Sequence, residues 1–182
     1  MLGNFLVMRF ILGTLILSSM LVACSSSEQA AVKLDTTQYQ VADAGVLQQR
    51  FNHLNQQLSE DYQLFKRNNN IAFSDQSILD VNQLQSLHLH AVSRSSLKPV
   101  KQAYCEMMND YFVQMYHLGN QNLDLMPQIQ LPHVAAQNLA KDFSSAAAFY
   151  DFVLNRYSSY RQAQEIMGLG CNLKHALAQV NR

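Results

Sequence analysis

Apolar residues recur every three or four positions from residue 47 onward, which is the spacing of one face of an α-helix. Asp43 precedes this pattern as a candidate N-cap, because its carboxylate can accept a hydrogen bond from an unpaired amide of the first turn. Asn68, Asn69 and Asn70 follow the pattern and are expected to end the helix. The apolar face consists of Leu47, Phe51, Leu54, Leu58, Tyr62 and Phe65. The pattern therefore predicts a long amphipathic helix that opens the folded part of the chain.

A second helix is predicted after the asparagines. Ser74 or Asp75 is a candidate cap, and the helix is expected to end before Ser95, because the residue ahead of Pro99 is disfavoured in helical conformation. One side of this helix is formed by Ile78, Val81, Leu84, Leu87 or His88, and Ala91.

A third helix is predicted from residue 99 to about residue 118. Pro99 suits the first turn of a helix, and Gly119 is typical of the position just beyond a helix end. The apolar side of this helix consists of Val100, Tyr104, Met107 or Met108, Tyr111, Met115 and Leu118.

The remainder of the chain is also predicted to be helical. Residues 119–131 form an irregular segment, because Pro127 cannot continue a simple helix. Further helices are expected at 132–143, from Ser144 or Ser145 to the glycines at 168–170, and at 171–180. No convincing run of alternating apolar and polar residues indicates a strand. The predicted fold class is therefore all-α, an irregular bundle of five or six helices.

The beginning of the chain has a different pattern. Arg9 precedes a short apolar core at residues 10–17, and Leu21-Val22-Ala23-Cys24 leads into a run of serines. A positive charge, a short apolar core and small residues before a cut are typical of a signal peptide. As a helix, residues 10–23 would rise roughly 21 Å, less than the roughly 30 Å of a bilayer's hydrocarbon core. A transmembrane anchor is therefore disfavoured.

The four residues that end at Cys24 resemble the lipobox of bacterial lipoprotein precursors. The resemblance implies that residues 1–23 are removed and that the Cys24 thiol carries a diacylglycerol, with palmitate as the expected acyl chain on the new amino terminus. Ser25, rather than aspartate, implies sorting to the outer membrane, with the protein facing the periplasm. Residues 24–42 are predicted to be a flexible lipidated tether, and residues 43–182 the helical domain.

The charge composition argues against nucleic acid as a partner. The chain has 13 basic and 13 acidic residues, so no basic excess is available to neutralise phosphates. Charged residues make up only 14% of the chain, and glutamine and asparagine take their place. A partner is therefore expected to be held by hydrogen bonds and apolar contact.

The two other cysteines, Cys105 and Cys171, are predicted to form a disulfide, because two thiols that remain in an oxidising compartment tend to pair. The alternative is two buried thiols that behave as small apolar residues. A redox role is not expected, since the pair lacks the spacing of a Cys-x-x-Cys motif.

No motif in the sequence indicates a reaction. Nucleophile, zinc-protease and phosphate-loop motifs are absent, so neither an enzyme nor a cofactor is predicted. His88 and His90 lie about 200° apart around a helix and cannot bind one metal ion from there. Glu106, Asp110 and His117 share a helix face, but that face lies opposite the apolar stripe and is expected to contact solvent. No metal site is therefore predicted.

The third helix carries more large side chains than a single buried stripe can hold. Two interpretations remain open: the helix is central and buried on two sides, or part of it is an exposed binding surface. The candidate binding surface consists of Tyr104, Met108, Tyr111, Phe112, Met115 and Tyr116.

Three classes of function remain after these exclusions. The leading hypothesis is a lipid-anchored, non-catalytic accessory protein that binds another envelope protein. The alternative is a carrier or sensor of a small apolar ligand, with a cavity lined by methionine and tyrosine side chains. An envelope enzyme ranks last, because no pair of carboxylates is placed for catalysis.

Overall fold

The computed structural model describes residues 36–131, 145, 147–148, 151 and 158–179, all within one compact unit, Val32–Arg182. The predicted all-α class is confirmed, because the regular structure in these ranges is helical and none of these residues forms a strand. The α-helices are α1 (Ala44–Asn68), α2 (Lys98–Asn120), α3 (Ser158–Met167) and α4 (Leu173–Gln179). Short 3-10 helices occupy Thr36–Tyr39, Asn70–Ala72, Val81–His90 and Met126–Gln128. The helix predicted at 132–143 lies outside the described residues.

Helix α1 begins and ends where the apolar pattern predicts. The Asp43 carboxylate accepts a hydrogen bond from the Val46 amide at 2.9 Å, and this bond caps the first turn. The amide of Asn69 donates to the carbonyls of Phe65 and Lys66 and closes the last turn. Five of the six predicted apolar residues are buried, and Phe65 packs against the core from a half-buried position.

The predicted second helix is wrong. Residues 74–80 are irregular, and Val81–His90 is a 3-10 helix that is interrupted at Gln83. The buried residues Leu84, Leu87 and His90 recur every three positions, which is the period of a 3-10 helix. Polar side chains also take up the backbone groups that an α-helix would use. For example, the Lys66 ammonium donates to the carbonyls of Asp75 and Ser77.

Helix α2 is the centre of the described core. Pro99 lies in its first turn, as predicted, but the helix continues through Gly119 and ends at Asn120. Gly119 is buried inside the last turn rather than placed beyond it. The helix end is instead closed by the Gln121 amide, which donates to the carbonyl of His117 at 3.0 Å.

The predicted disulfide between Cys105 and Cys171 is present, with the two Cα atoms 4.9 Å apart. It joins the first half of α2 to the segment between α3 and α4. Gly168 ends α3 with a φ of +65°, a conformation that residues with a side chain rarely adopt. The Asn109 side chain reinforces this junction, since it donates to the Cys171 carbonyl and accepts a hydrogen bond from the Tyr160 hydroxyl.

The predicted tether ends earlier than residue 42. Residues Thr36–Tyr39 form a 3-10 helix, and Asn122 fastens the following turn to the end of α2. The Asn122 side chain accepts a hydrogen bond from the Val41 amide at 3.0 Å and donates to the Tyr39 carbonyl at 2.8 Å. Residues 36–41 are therefore a strap that belongs to the folded domain. Among the described helices, none has the length and apolar character that a membrane crossing requires.

Candidate functional site

The side chains predicted as a candidate binding surface are all buried. Their exposed fractions run from 0 to 4%, so they offer very little surface to a partner. They are Tyr104, Met108, Tyr111, Phe112, Met115 and Tyr116. Tyr160 of α3 covers the second side of α2, since its ring stacks on Phe112 with centroids 5.0 Å apart. Of the two interpretations of this helix, the structure therefore supports central burial for these six side chains.

The histidines and carboxylates of α2 also differ from the predicted pattern. Glu106 and Asp110 are exposed as expected, but His117 is fully buried. Its ring stacks on Tyr39 of the strap, with centroids 5.0 Å apart, and neither ring nitrogen has a hydrogen-bond partner. In the part of the chain that the structure describes, no three histidine, cysteine or acidic side chains are grouped as a metal site would require.

A groove lies between α1 and α2 on the surface of the helix pair. Its volume is about 380 Å³, and about half of its lining residues are apolar. The lining residues are Leu54, Gln57, Leu58, Asp61, Leu64, Phe65, Asn68, Met107, Asp110, Tyr111 and Gln114. Leu64 leaves half of its side chain exposed there, although it lies outside the predicted stripe of α1. The groove is therefore an apolar surface that the core does not cover.

A second hollow continues the groove toward the strap. Its volume is about 270 Å³, and it shares Leu54, Gln57 and Gln114 with the first. Its other lining residues are Tyr39, Arg50, His53 and Leu118. The later part of α1 thus lies beside the earlier part of α2, so the two helices are antiparallel. The α1 side of the combined groove runs over residues 50–68, roughly 27 Å at the rise of an α-helix.

The two halves of the groove differ in charge. Asp61 and Asp110 line the half nearer the end of α1, whereas Arg50 and His53 line the half nearer the strap. Burial raises the pKa of Asp110, and the negative charge of Glu106 one turn away raises it further. A cation placed beside Asp110 would oppose this rise, because it favours the charged carboxylate. The groove therefore favours a ligand that is apolar along its length and basic where it meets Asp110.

A buried polar centre lies near the end of α1. Lys66 is only 5% exposed, and its ammonium group donates to the carbonyls of Asp75 and Ser77 and to Nδ1 of His90. The Tyr62 hydroxyl donates to the His90 carbonyl. Burial lowers the pKa of Lys66, an effect that the nearby Asp75 charge opposes. Because the Lys66 ammonium is occupied by three acceptors, we assign this centre the task of holding residues 75–77 against α1.

Sequence reasoning missed the groove because it depends on two helices that lie side by side. The only signals in the sequence were Leu64 and Met107, large apolar residues that do not fit wholly within the buried face of their helix. Comparison with known proteins adds nothing to this picture: no protein family, curated protein or solved structure matches the chain.

Proposed function

We propose that this chain is a lipid-anchored accessory protein of the bacterial envelope, which faces the periplasm and binds another envelope protein without catalysing a reaction. The observation that carries the proposal is the open apolar groove between α1 and α2, with carboxylates in one half and basic side chains in the other. The binding site is this groove, in place of the buried face of α2.

The dimensions of the groove favour an amphipathic helix as the bound element. A channel of roughly 27 Å between two antiparallel helices accommodates about 18 residues of a third helix, which would complete a three-helix arrangement. The partner helix is expected to place lysine or arginine against Asp61 and Asp110. The glutamine and asparagine residues along the rim supply neutral hydrogen-bonding groups.

Two other features support the location. The lipobox resemblance at Cys24 provides the anchor, and the Cys105–Cys171 disulfide suits an oxidising compartment. The alternative of a carrier for a small apolar ligand has less support from the described residues. The methionine and tyrosine side chains that would have lined a cavity instead fill the core between α1, α2 and α3.

Photocrosslinking in intact cells tests the proposal. The full chain carries a photoreactive phenylalanine analogue in place of Leu64, and the matched control carries it in place of Ile166, an exposed residue of α3. We expect one envelope protein to crosslink from position 64 and not from position 166. Equal crosslinking from both positions, or none from position 64, would show that the groove has no partner.

Charge reversal then tests whether the captured protein occupies the groove. Asp110→Lys is expected to reduce the yield of the crosslink by about tenfold or more, because like charges would face each other across the contact. Glu165→Lys reverses an exposed charge on α3 and should leave the yield unchanged. Equal effects of the two variants would contradict the proposed charge pairing.

A further inference from the structure

The three most exposed aliphatic side chains of the described residues lie at one end of the α1–α2 pair. Ile71 is 96% exposed, Leu97 is 74% exposed and Ile78 is 68% exposed. Ile71 follows the end of α1, and Leu97 is the residue before α2 begins. Because the two helices are antiparallel, the end of α1 and the start of α2 meet at the same end of the molecule. We call this set of residues, with the turns that carry them, the aliphatic tip.

Hydrogen bonds hold the turns of the aliphatic tip together. The Ser93 amide donates to the Ala72 carbonyl at 2.7 Å, which joins the turn before α2 to the turn after α1. The Lys66 ammonium donates to the Ser77 carbonyl at 2.8 Å, next to Ile78. Ile78 also shares a surface hollow with Arg67 and other residues at the end of α1. The exposed aliphatic side chains are therefore carried by braced turns, not by unattached loops.

Basic residues accompany the aliphatic tip. Arg67, Arg94 and Lys98 are exposed and Lys101 is half-buried. The carboxylate in the same stretch is Asp75, which accepts a hydrogen bond from the Ser77 amide at 2.7 Å. The ranges 67–78 and 93–101 thus hold four basic residues against one acidic residue, in a chain whose net charge is zero.

We propose that the aliphatic tip contacts the surface of an anionic lipid bilayer. Isolated aliphatic side chains that project among basic residues suit an interface where methyl groups enter the acyl boundary and cations meet lipid phosphates. An acidic protein surface could also neutralise the basic residues of the tip. However, binding of a protein through these residues would require a separate pocket for each projecting side chain, whereas a bilayer accepts all three without shape matching. The observations therefore favour lipid over protein.

The contact would give the domain a second point of attachment. The strap enters at the start of α1, and the tip lies past its end, roughly 37 Å away along a helix of 25 residues. Contact at both ends would lay α1 along the bilayer and fix which face of the helix pair looks away from it. This inference does not depend on a partner in the groove.

Tryptophan fluorescence tests the proposal directly, because the chain contains no tryptophan. The full chain with Ile71→Trp is reconstituted in vesicles of phosphatidylglycerol or of phosphatidylcholine, each with and without brominated acyl chains. We expect a blue-shifted emission and quenching by bromine in phosphatidylglycerol, and weaker quenching in phosphatidylcholine. Ile166→Trp is the control on α3, and its indole should remain exposed to water in both kinds of vesicle.

Neutralising the basic residues tests the electrostatic part. Each Lys98→Gln or Lys101→Gln change in the Ile71→Trp chain should weaken the contact with phosphatidylglycerol about fivefold. Lys174→Gln, a change at an exposed residue of α4, should leave the contact unaltered. If the indole of the Ile71→Trp chain emits as it would in water on phosphatidylglycerol vesicles, the proposal is wrong. The indole could also emit as in water on phosphatidylglycerol vesicles but be shielded from water in native envelope membranes. That result would mean that the aliphatic tip binds a protein, which also overturns the proposal.

Discussion

At the scale of single residues, Lys66 shows what its helix position alone does not indicate. A lysine near the end of an exposed helix is ordinarily solvated, yet this one is buried and donates to the Asp75 and Ser77 carbonyls and to His90. The interaction depends on residues that lie 9 to 24 positions further along the chain. Periodicity within one helix carries no information about such a contact.

Replacement of Lys66 should destabilise the fold. Lys66→Met keeps the length of the side chain but leaves three acceptors without a donor, and we expect a loss of about 1–3 kcal/mol in the free energy of unfolding. Arg67→Met, the exposed neighbour, should change it by less than about 0.5 kcal/mol. Urea unfolding of the two variants and the parent chain measures both changes. Similar unfolding midpoints would show that the buried ammonium does not brace residues 75–77.

His117 is expected to make stability depend on pH. Burial lowers its pKa below the ordinary value of 6.5, so the unfolded chain takes up a proton before the folded chain does. Stability is therefore lost as the pH falls below 6.5. His90 acts in the same direction, because burial and the charges of Lys66 and His88 lower its pKa, whereas the charge of Asp75 opposes this shift.

The variant His117→Phe should reduce this pH dependence. Phenylalanine keeps the ring that stacks on Tyr39 but cannot take up a proton. Thermal unfolding between pH 7 and pH 5 should show a smaller fall in midpoint for His117→Phe than for the parent chain. His53→Gln, a change at an exposed histidine of α1, is the control. A fall of the same size in all three proteins would exclude His117 as the cause.

At the scale of elements, the sequence predicts α1 and α2 well and the segment between them poorly. Long stripes with caps at both ends, such as Asp43 to Asn69, are determined by local residues. The segment before α2 is determined by distant ones: Ser93 bonds Ala72, and the His88 amide donates to the Ser159 hydroxyl of α3 at 2.9 Å. The regular spacing of three among its apolar residues was the available sign of a 3-10 helix.

The disulfide should contribute much of the stability of the junction between α2 and α4. Closing a loop of 66 residues is worth about 4 kcal/mol in the chain-entropy account. The double variant Cys105→Ala, Cys171→Ala should therefore unfold at a clearly lower urea concentration than the oxidised protein. The oxidised protein treated with reductant should approach the same midpoint. An unchanged midpoint would mean that the helices pack equally well without the bond.

At the scale of the whole molecule, the fold class was predictable and the candidate site was not. The apolar pattern of α2 left open whether other helices pack against its second side. The position of Tyr160, whose ring stacks on Phe112, answers that question. The groove likewise requires knowing that α1 and α2 lie antiparallel. A one-dimensional pattern can identify an apolar surplus such as Leu64, but it cannot say which neighbour leaves that surplus uncovered.

The proposed lipid anchor gives a prediction for the full chain. Cys24→Ala should leave the domain folded but soluble, or retained as an unprocessed precursor. Fractionation of cell envelopes, with the mass of the protein measured in each fraction, checks this expectation. Recovery of a mature form of the variant with the outer membrane would show that the lipoprotein hypothesis is wrong.

The strap that Asn122 fastens to α2 has a consequence for how the proposed lipid-anchored domain would encounter its partner. If the tether consists of residues 25–35 rather than 25–42, its mean reach falls from about 23 Å to about 18 Å. The volume swept around the anchor scales with the cube of that reach and shrinks to roughly half. A partner in the same membrane patch would then encounter the groove at about twice the local concentration. The side-chain amide of Asn122, which does not line the groove, would thus affect how often the groove meets a partner.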